Sequence, residues 1–201
     1  MRELERALAS APELVVIEDD FLAAVCGVPL ATLVARRRRW LQVRSLAKAL
    51  GPDLRVAPFT GDALTVARMQ ARQRIGCGWV SVMLQDAAAT LLRDPRTRQR
   101  LRSATRAYQQ RRDTLLAALA AVGLAGTPGC GFTVWVPVPD EAAAVGAARA
   151  AGYAIDGGAR YRENAAPAVR VTTTTLTERE ARALAAALAG AGRGAAMRRP
   201  S

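Results

Sequence analysis

Apolar and polar positions follow different rhythms in three stretches of the chain, with changes near residues 60 and 124. Residues 2–10 place Leu4 and Leu8 on one helical face, and Pro12 ends the run. Leu14-Val15-Val16-Ile17 is a continuous apolar run closing on Glu18-Asp19-Asp20, the pattern of a buried parallel strand with acids at its C-terminal end. A short helix over 29–35 and a strand over 40–43 follow, then a third strand over 54–59 that Pro58 confines to an edge or an early stop. Residues 62–75 read as a helix, which Gly76-Cys77-Gly78 interrupts. The helical pattern resumes from Val80 to about Leu92 and from about Arg96 to Val122, with Asp94-Pro95 as the break. Thr127-Pro128-Gly129-Cys130-Gly131 is a turn, and Phe132 to Val136 alternate as a strand. A helix over 140–151, a short strand over 153–155 and a β-branched strand over 169–172 come next. Thr177 and Glu180 form a capping box opening an alanine-rich helix to about Ala189, and residues 190–201 are expected to fray.

This order of elements predicts the α/β class, with a small α+β unit at the C-terminal end. Composition narrows the chemistry. The 201 residues contain no histidine, which excludes Ser-His-Asp and Cys-His nucleophile systems and any His-ligated metal, so no metal site is expected. Cys26, Cys77 and Cys130 lie far apart without a CxxC pair, the pattern of neither a zinc knuckle nor a disulfide framework. No apolar run approaches the roughly 18 residues of a membrane span, and Met1-Arg2-Glu3-Leu4-Glu5-Arg6 does not read as a signal peptide. A reducing cytoplasm is the expected location.

The formal net charge of +12 invites a nucleic-acid reading. Yet 28 of the 29 basic residues are arginines, in a chain rich in alanine and glycine, which points to an arginine-favouring coding habit. The Arg36–Arg39 run lacks interleaved aromatics and reads as a solvated loop, so no direct nucleic-acid contact is expected. The single lysine, Lys48, becomes informative. Arginine replaces lysine at most surfaces, but it cannot act as a neutral amine that condenses with a carbonyl.

Lys48 has suggestive neighbours. Ser45 precedes it by three residues, and Arg55 follows it by seven. Upstream lies the Glu18-Asp19-Asp20-Phe21 strand end, where open α/β sheets bind ligands. Each piece has a role if the ligand is pyridoxal phosphate. A lysine holds the aldehyde as a Schiff base, a strand-end carboxylate keeps the pyridine nitrogen protonated, and a hydroxyl and an arginine converge on the phosphate. Taken singly, Lys48 and Arg55 read as surface charges, and Asp19 and Asp20 as strand-end caps.

The residues Val-Ile-Glu-Asp-Asp-Phe and Ser-Leu-Ala-Lys-Ala-Leu-Gly-Pro-Asp-Leu-Arg resemble the fold type I pyridoxal-phosphate enzymes, the class I/II aminotransferases. They look closest to the aminotransferase-like domain of MocR-type regulators of the GntR family, and to the PtsJ-like branch within it. The similarity extends over roughly residues 10–190, including Gln85, Tyr108, Arg111-Arg112-Asp113, the Pro128–Phe132 turn and Val169-Arg170-Val171. It implies that Lys48 carries the Schiff base and is the catalytic residue, and that Asp19 faces the pyridine nitrogen. Ser45 and Arg55 would hold the phosphate, and Arg170 would clamp an amino-acid carboxylate. It also implies a partial fold type I architecture. Residues 1–105 would be the second half of the large domain with linking helices, 106–190 the small domain and 191–201 a disordered tail. A homodimer is expected by the same resemblance.

The departures matter too. Phe21 stands where the family commonly has a tyrosine that donates to the cofactor's 3′ oxygen, and Ala57-Pro58 replace the usual glycine and aromatic after the arginine. The first half of the large domain and the winged helix of the regulators have no counterpart in the sequence, as expected of a fragment, a truncated frame or a C-terminal piece. Three functions follow: an effector-sensing domain of a MocR-type regulator, a catalytic aminotransferase acting on an amino acid and a 2-oxo acid, or an inactive fragment. Phe21 weighs against the second.

Overall fold

The apolar run before the three acids forms a strand, and it pairs in parallel with the second predicted strand. β1 (Val16–Asp20) sets Val16 opposite Trp40 and Asp20 opposite Arg44 of β2 (Trp40–Arg44). β3 (Phe59–Gly61) adds antiparallel to β2, giving the order β1-β2-β3. The structure is a computed structural model that describes residues 2–29, 31–129 and 131–197, with side chains to residue 192. The chain divides into two units, Met1–Ala104 and Thr105–Ser201.

The first unit departs from the sequence pattern in several places. Val16 and Leu41 are buried, but Ile17 remains 62% exposed, so the strand expected to be buried has one covered face only. The expected strand over 54–59 is displaced. Residues Pro52–Leu54 form a 3-10 turn, and β3 begins just after Pro58, which has no amide to donate. Gly61 is required in β3, because a Cβ there would lie 2.6 Å from the Trp40 carbonyl oxygen.

The helix expected over 29–35 reduces to a 3-10 turn at Val34–Arg36. A four-residue helix that the pattern missed, α2 (Ala23–Cys26), follows β1 and ends at Gly27 with φ 75°. Cys26 is buried and disulfide-bonded, a correction to the expectation of unpaired thiols. Cys130 lies outside the described residues.

α1 (Arg2–Ala9) precedes β1, and α3 (Ala47–Leu50) follows β2. The next three helices start where side chains satisfy their first amides. Asp62 caps α4 (Ala63–Ile75) by accepting from the Thr65 amide at 3.1 Å, and Ser81 caps α5 (Val82–Arg93). α6 (Pro95–Ala121) begins at the predicted Asp94-Pro95 break, with the Asp94 carboxylate accepting from the Arg96 and Thr97 amides.

In the second unit β4 (Thr127–Pro128), β5 (Thr133–Pro137), β7 (Ala168–Thr172) and β6 (Asp156–Gly157) form an antiparallel sheet in that spatial order. The short strand therefore falls at Asp156–Gly157, beyond the expected 153–155. β5 and β7 form where the sequence pattern places strands, to within a residue at each end. Val134, Val136, Val169 and Val171 point to a core shared with Leu115 and Leu119 of α6 and with Leu184 and Leu188. α7 (Glu141–Ala150) packs on α8 (Glu178–Met197). The capping box forms as the sequence indicates, with Glu180 accepting from the Thr177 amide and hydroxyl. α8 continues to Met197, past the expected stop near Ala189, although Gly190, Gly192 and Gly194 disfavour helix there. Residues 198–201 of the expected tail lie outside the described residues. Among the described residues no helix is long and apolar enough to cross a membrane.

Candidate functional site

The three acids of β1 separate by the face and position each occupies. Glu18 accepts from the Leu33 amide at 2.6 Å, from the Thr32 hydroxyl at 2.8 Å and from the Gln42 amide nitrogen at 3.0 Å. Burial pushes its carboxyl up, but these bonds outweigh burial and hold it below the ordinary glutamate range. Asp20 accepts from the Leu22 and Ala23 amides at 3.1 and 2.8 Å and so shapes the start of α2. Both are structural. Asp19 faces the exposed side with Ile17, and no hydrogen bond or ion pair engages it among the described residues. Asp19 is the one of the three with no hydrogen bond or ion pair among the described residues, while Asp20 keeps Oδ2 buried without a hydrogen-bond partner, 3.9 Å from Arg44 Nε.

Backbone bonds gather the lysine loop around the same strand end. The Ser45 amide donates to the Asp20 carbonyl at 3.0 Å, which sets Ser45 beside the end of β1. The Leu46 amide donates to the Val56 carbonyl at 3.1 Å, which brings the residues around Arg55 alongside. Between them the Gly51 amide donates to the Ala47 carbonyl at 3.2 Å, and the Leu54 amide to the Gly51 carbonyl at 3.3 Å. The Ser45 hydroxyl accepts from the Ala47 amide at 3.3 Å, fixing the first turn that carries Lys48, which is exposed. Asp19, Phe21, Ser45, Lys48 and Arg55 therefore share one loop cluster at the C-terminal ends of β1 and β2.

Arg55 has the one positive φ among the described non-glycine residues, at φ 49° and ψ 32°. Such a conformation costs an L-residue about 1–2 kcal/mol and gathers at functional positions. The loop bends there, in the segment that the Leu46–Val56 bond holds alongside Ser45, so a guanidinium, an amine and a hydroxyl are carried on neighbouring backbone. This donor set suits a phosphorylated aldehyde: a cation and a hydroxyl for the phosphate, an amine for the carbonyl and a carboxylate for a ring nitrogen. Phe21, 49% exposed, lies one residue past β1 and has no donor to add.

Arg170 belongs to the second unit. It is half-buried on β7, and its Nη1 donates to the Asp156 carboxylate at 3.0 Å. Its guanidinium lies 5.5 Å from the centre of the Tyr161 ring.

The Arg36–Arg39 run is only partly solvated, which corrects its reading as a loop of surface charges. Arg37 donates to the carbonyls of Leu8, Ala11 and Leu14 at 2.8–2.9 Å, pinning the segment before β1. Arg39 lies 3.9 Å from Asp62. Two further structural residues escaped the sequence pattern. Asp62 accepts from the Trp40 amide at 2.8 Å as well as from Thr65, so it joins β2 to α4. Glu141 accepts from the Ala159 and Ala168 amides and from Arg162, closing the loop between β6 and β7.

Comparison with known proteins identifies the family and the fold. The sequence profile described as aminotransferase class I and II matches residues 4–188. Over 136 residues the chain is 38% identical to the vitamin B6 salvage pathway transcriptional repressor PtsJ of Salmonella typhimurium, covering 67% of this chain and 32% of the repressor. Among solved structures, the kynurenine aminotransferase of Pyrococcus horikoshii superposes with a TM-score of 0.81 at 21% identity, over 96% of this chain and 51% of that one. An aspartate aminotransferase mutant of Thermus thermophilus gives 0.78 at 23% identity, over 94% of this chain and 53% of its own. The chain thus spans about half the length of these solved structures and about a third of the repressor.

Proposed function

The chain belongs to the class I and II aminotransferase family, and from that footing we propose that it is a pyridoxal-phosphate-binding, aminotransferase-like domain, the effector-sensing part of a MocR-type regulator. The observation that carries this proposal is the cluster of Asp19, Ser45, Lys48 and Arg55 around one strand end, with Asp19 left unengaged while its two acidic neighbours are used structurally. The 38% identity to a repressor of vitamin B6 salvage favours sensing over turnover.

In this proposal the Lys48 amine holds the cofactor covalently, and Asp19 keeps a proton on its ring nitrogen. Ser45 and Arg55 take the phosphate, the arginine by a charge-assisted pair. Bound pyridoxal phosphate supplies an electron-withdrawing ring that stabilises negative charge at an attached amino acid. Arg170 recognises the amino acid's carboxylate. Phe21 removes a donor beside the ring and lowers catalytic capacity, as a sensor tolerates. The domain acts as a homodimer and makes no direct contact with nucleic acid.

Lys48 is the only lysine, which makes the test direct. The purified chain is mixed with pyridoxal phosphate, reduced with borohydride, digested and mapped by mass spectrometry. A phosphopyridoxyl group on Lys48, and its absence from Lys48→Ala, is the expected result. A wild-type chain without the label would overturn the proposal.

A second function, catalytic transamination, is favoured by the likeness of the whole chain to aminotransferase structures. Single-turnover assays across an amino-acid panel separate the two, since a sensor forms the labelled state without releasing a 2-oxo acid. A chain that takes no label and binds no amino acid would be the inactive fragment.

A further inference from the structure

The sheet register of the second unit sets Asp156 of β6 directly opposite Arg170 of β7. The pair is closed by one contact, Arg170 Nη1 to Asp156 Oδ2 at 3.0 Å. The other edge of the guanidinium engages no carboxylate among the described residues. Asp156 also lies 3.7 Å from Arg160, whose guanidinium rests over the Tyr161 ring at 4.7 Å. Tyr161 in turn packs edge-on against Trp135, which is the partner of Arg170 in β5. Two arginines, one carboxylate and two aromatic rings therefore share this end of the sheet. The side chains of Arg170 and Asp156 are 28% and 42% exposed, so an anion reaches both from solvent.

We infer that Asp156 is a specificity-determining residue, an internal carboxylate that competes with a ligand's carboxylate for Arg170. The inference rests on the assignment of Arg170 to carboxylate binding. Arginine recognises a carboxylate best through two parallel N–H donors. Asp156 takes one donor and leaves a negative charge beside the others, so an arriving carboxylate meets an occupied fork and a like charge. With Arg160 and Arg170 the cluster carries a net charge of about +1, against about +2 without Asp156. The consequence is a site that discriminates against plain carboxylates and sets a high concentration threshold for any carboxylate effector.

Propionate is the probe, titrated into the 15N-labelled full chain. The Trp135 indole signal is the reporter, and those of Trp40 and Trp79 are controls. The expected result is that Asp156→Asn binds propionate about fivefold more tightly than wild type, the scale of a half-exposed ion pair. Arg170→Gln loses the response in both backgrounds. Asp156→Ser repeats the gain, and circular dichroism confirms that both variants fold. If Asp156→Asn and Asp156→Ser bind no more tightly than wild type while Arg170→Gln still loses binding, the competition is overturned and Arg170 keeps its role. If the double variant binds as tightly as Asp156→Asn, Arg170 is not the receptor, and both the inference and the carboxylate assignment fall.

Discussion

Arg55 combines a strained backbone with a functional side chain, and the two can be separated by substitution. At φ 49° a glycine relieves the strain, so Arg55→Gly is expected to melt at or above the wild-type temperature, with a gain of about 0.5–1 kcal/mol. The same change is expected to lower pyridoxal-phosphate affinity at least tenfold through loss of a charge-assisted bond. Thermal melts and cofactor titration on one protein sample measure both. Phe21 offers the converse test. Phe21→Tyr adds a donor at a half-exposed position beside Asp19 and is expected to tighten cofactor binding by roughly fivefold, the worth of one hydrogen bond of about 1 kcal/mol.

Residue chemistry was partly legible in the sequence. A single lysine among 28 arginines marks one position because arginine cannot replace an amine nucleophile. Asp156 escaped, because its partner lies 14 residues away and only the β6–β7 register joins them. Arg37 escaped for a similar reason. Its three acceptors are backbone carbonyls, which carry no side-chain signature.

At the scale of elements, the end signals decide what sequence pattern can show. The Thr177–Glu180 box and the Asp94-Pro95 break are local chemistry, and both helices start where those residues dictate. Thr177→Ala is expected to cost about 1 kcal/mol of stability by denaturant unfolding. The 29–35 segment carries helical periodicity without a cap, and the Glu18 carboxylate claims its Leu33 amide instead. Tertiary demand overrode propensity there.

Gly158 shows a further constraint that periodicity does not encode. A Cβ on it would collide with the Ala168 carbonyl oxygen, so Gly158→Ala is expected to destabilise by about 1–3 kcal/mol. Asp62 links the first sheet to α4 and has a pH signature. The Thr65 side chain beside it and the Trp40 amide pull its carboxyl down to about 2, from an ordinary value of 3.8. A depressed folded-state value means its contribution is complete above about 3.8 and is lost as pH falls toward 2. Melting temperatures of the wild type should therefore fall over that window more steeply than those of Asp62→Asn.

At the scale of the molecule, the two units differ in how well they cover their apolar surface. The second has a core of fully buried side chains, Leu115, Leu119, Val134, Val171 and Leu184 among them. The first exposes Ile17, Ile75, Trp79 and Met83, with Trp79 at 80%. Amide exchange is expected to be slowest in β5, β7 and α8 and fastest in α5, as hydrogen-exchange mass spectrometry can check. The α/β class was legible because both rhythms, strand alternation and helical period, are present. The exposure was not, because an apolar residue in a sequence reads as buried whether or not anything lies over it.

The order β1-β2-β3 has one more consequence. Among the described residues β1 pairs on one side only, with β2, and its other backbone edge is a template on which a further strand could add by hydrogen bonding. Three of its five residues are acidic. Two copies meeting along that edge would align carboxylates against carboxylates, and the repulsion guards the edge against self-assembly. Asp19, the exposed acid of the three, thus also acts as a gatekeeper on that edge.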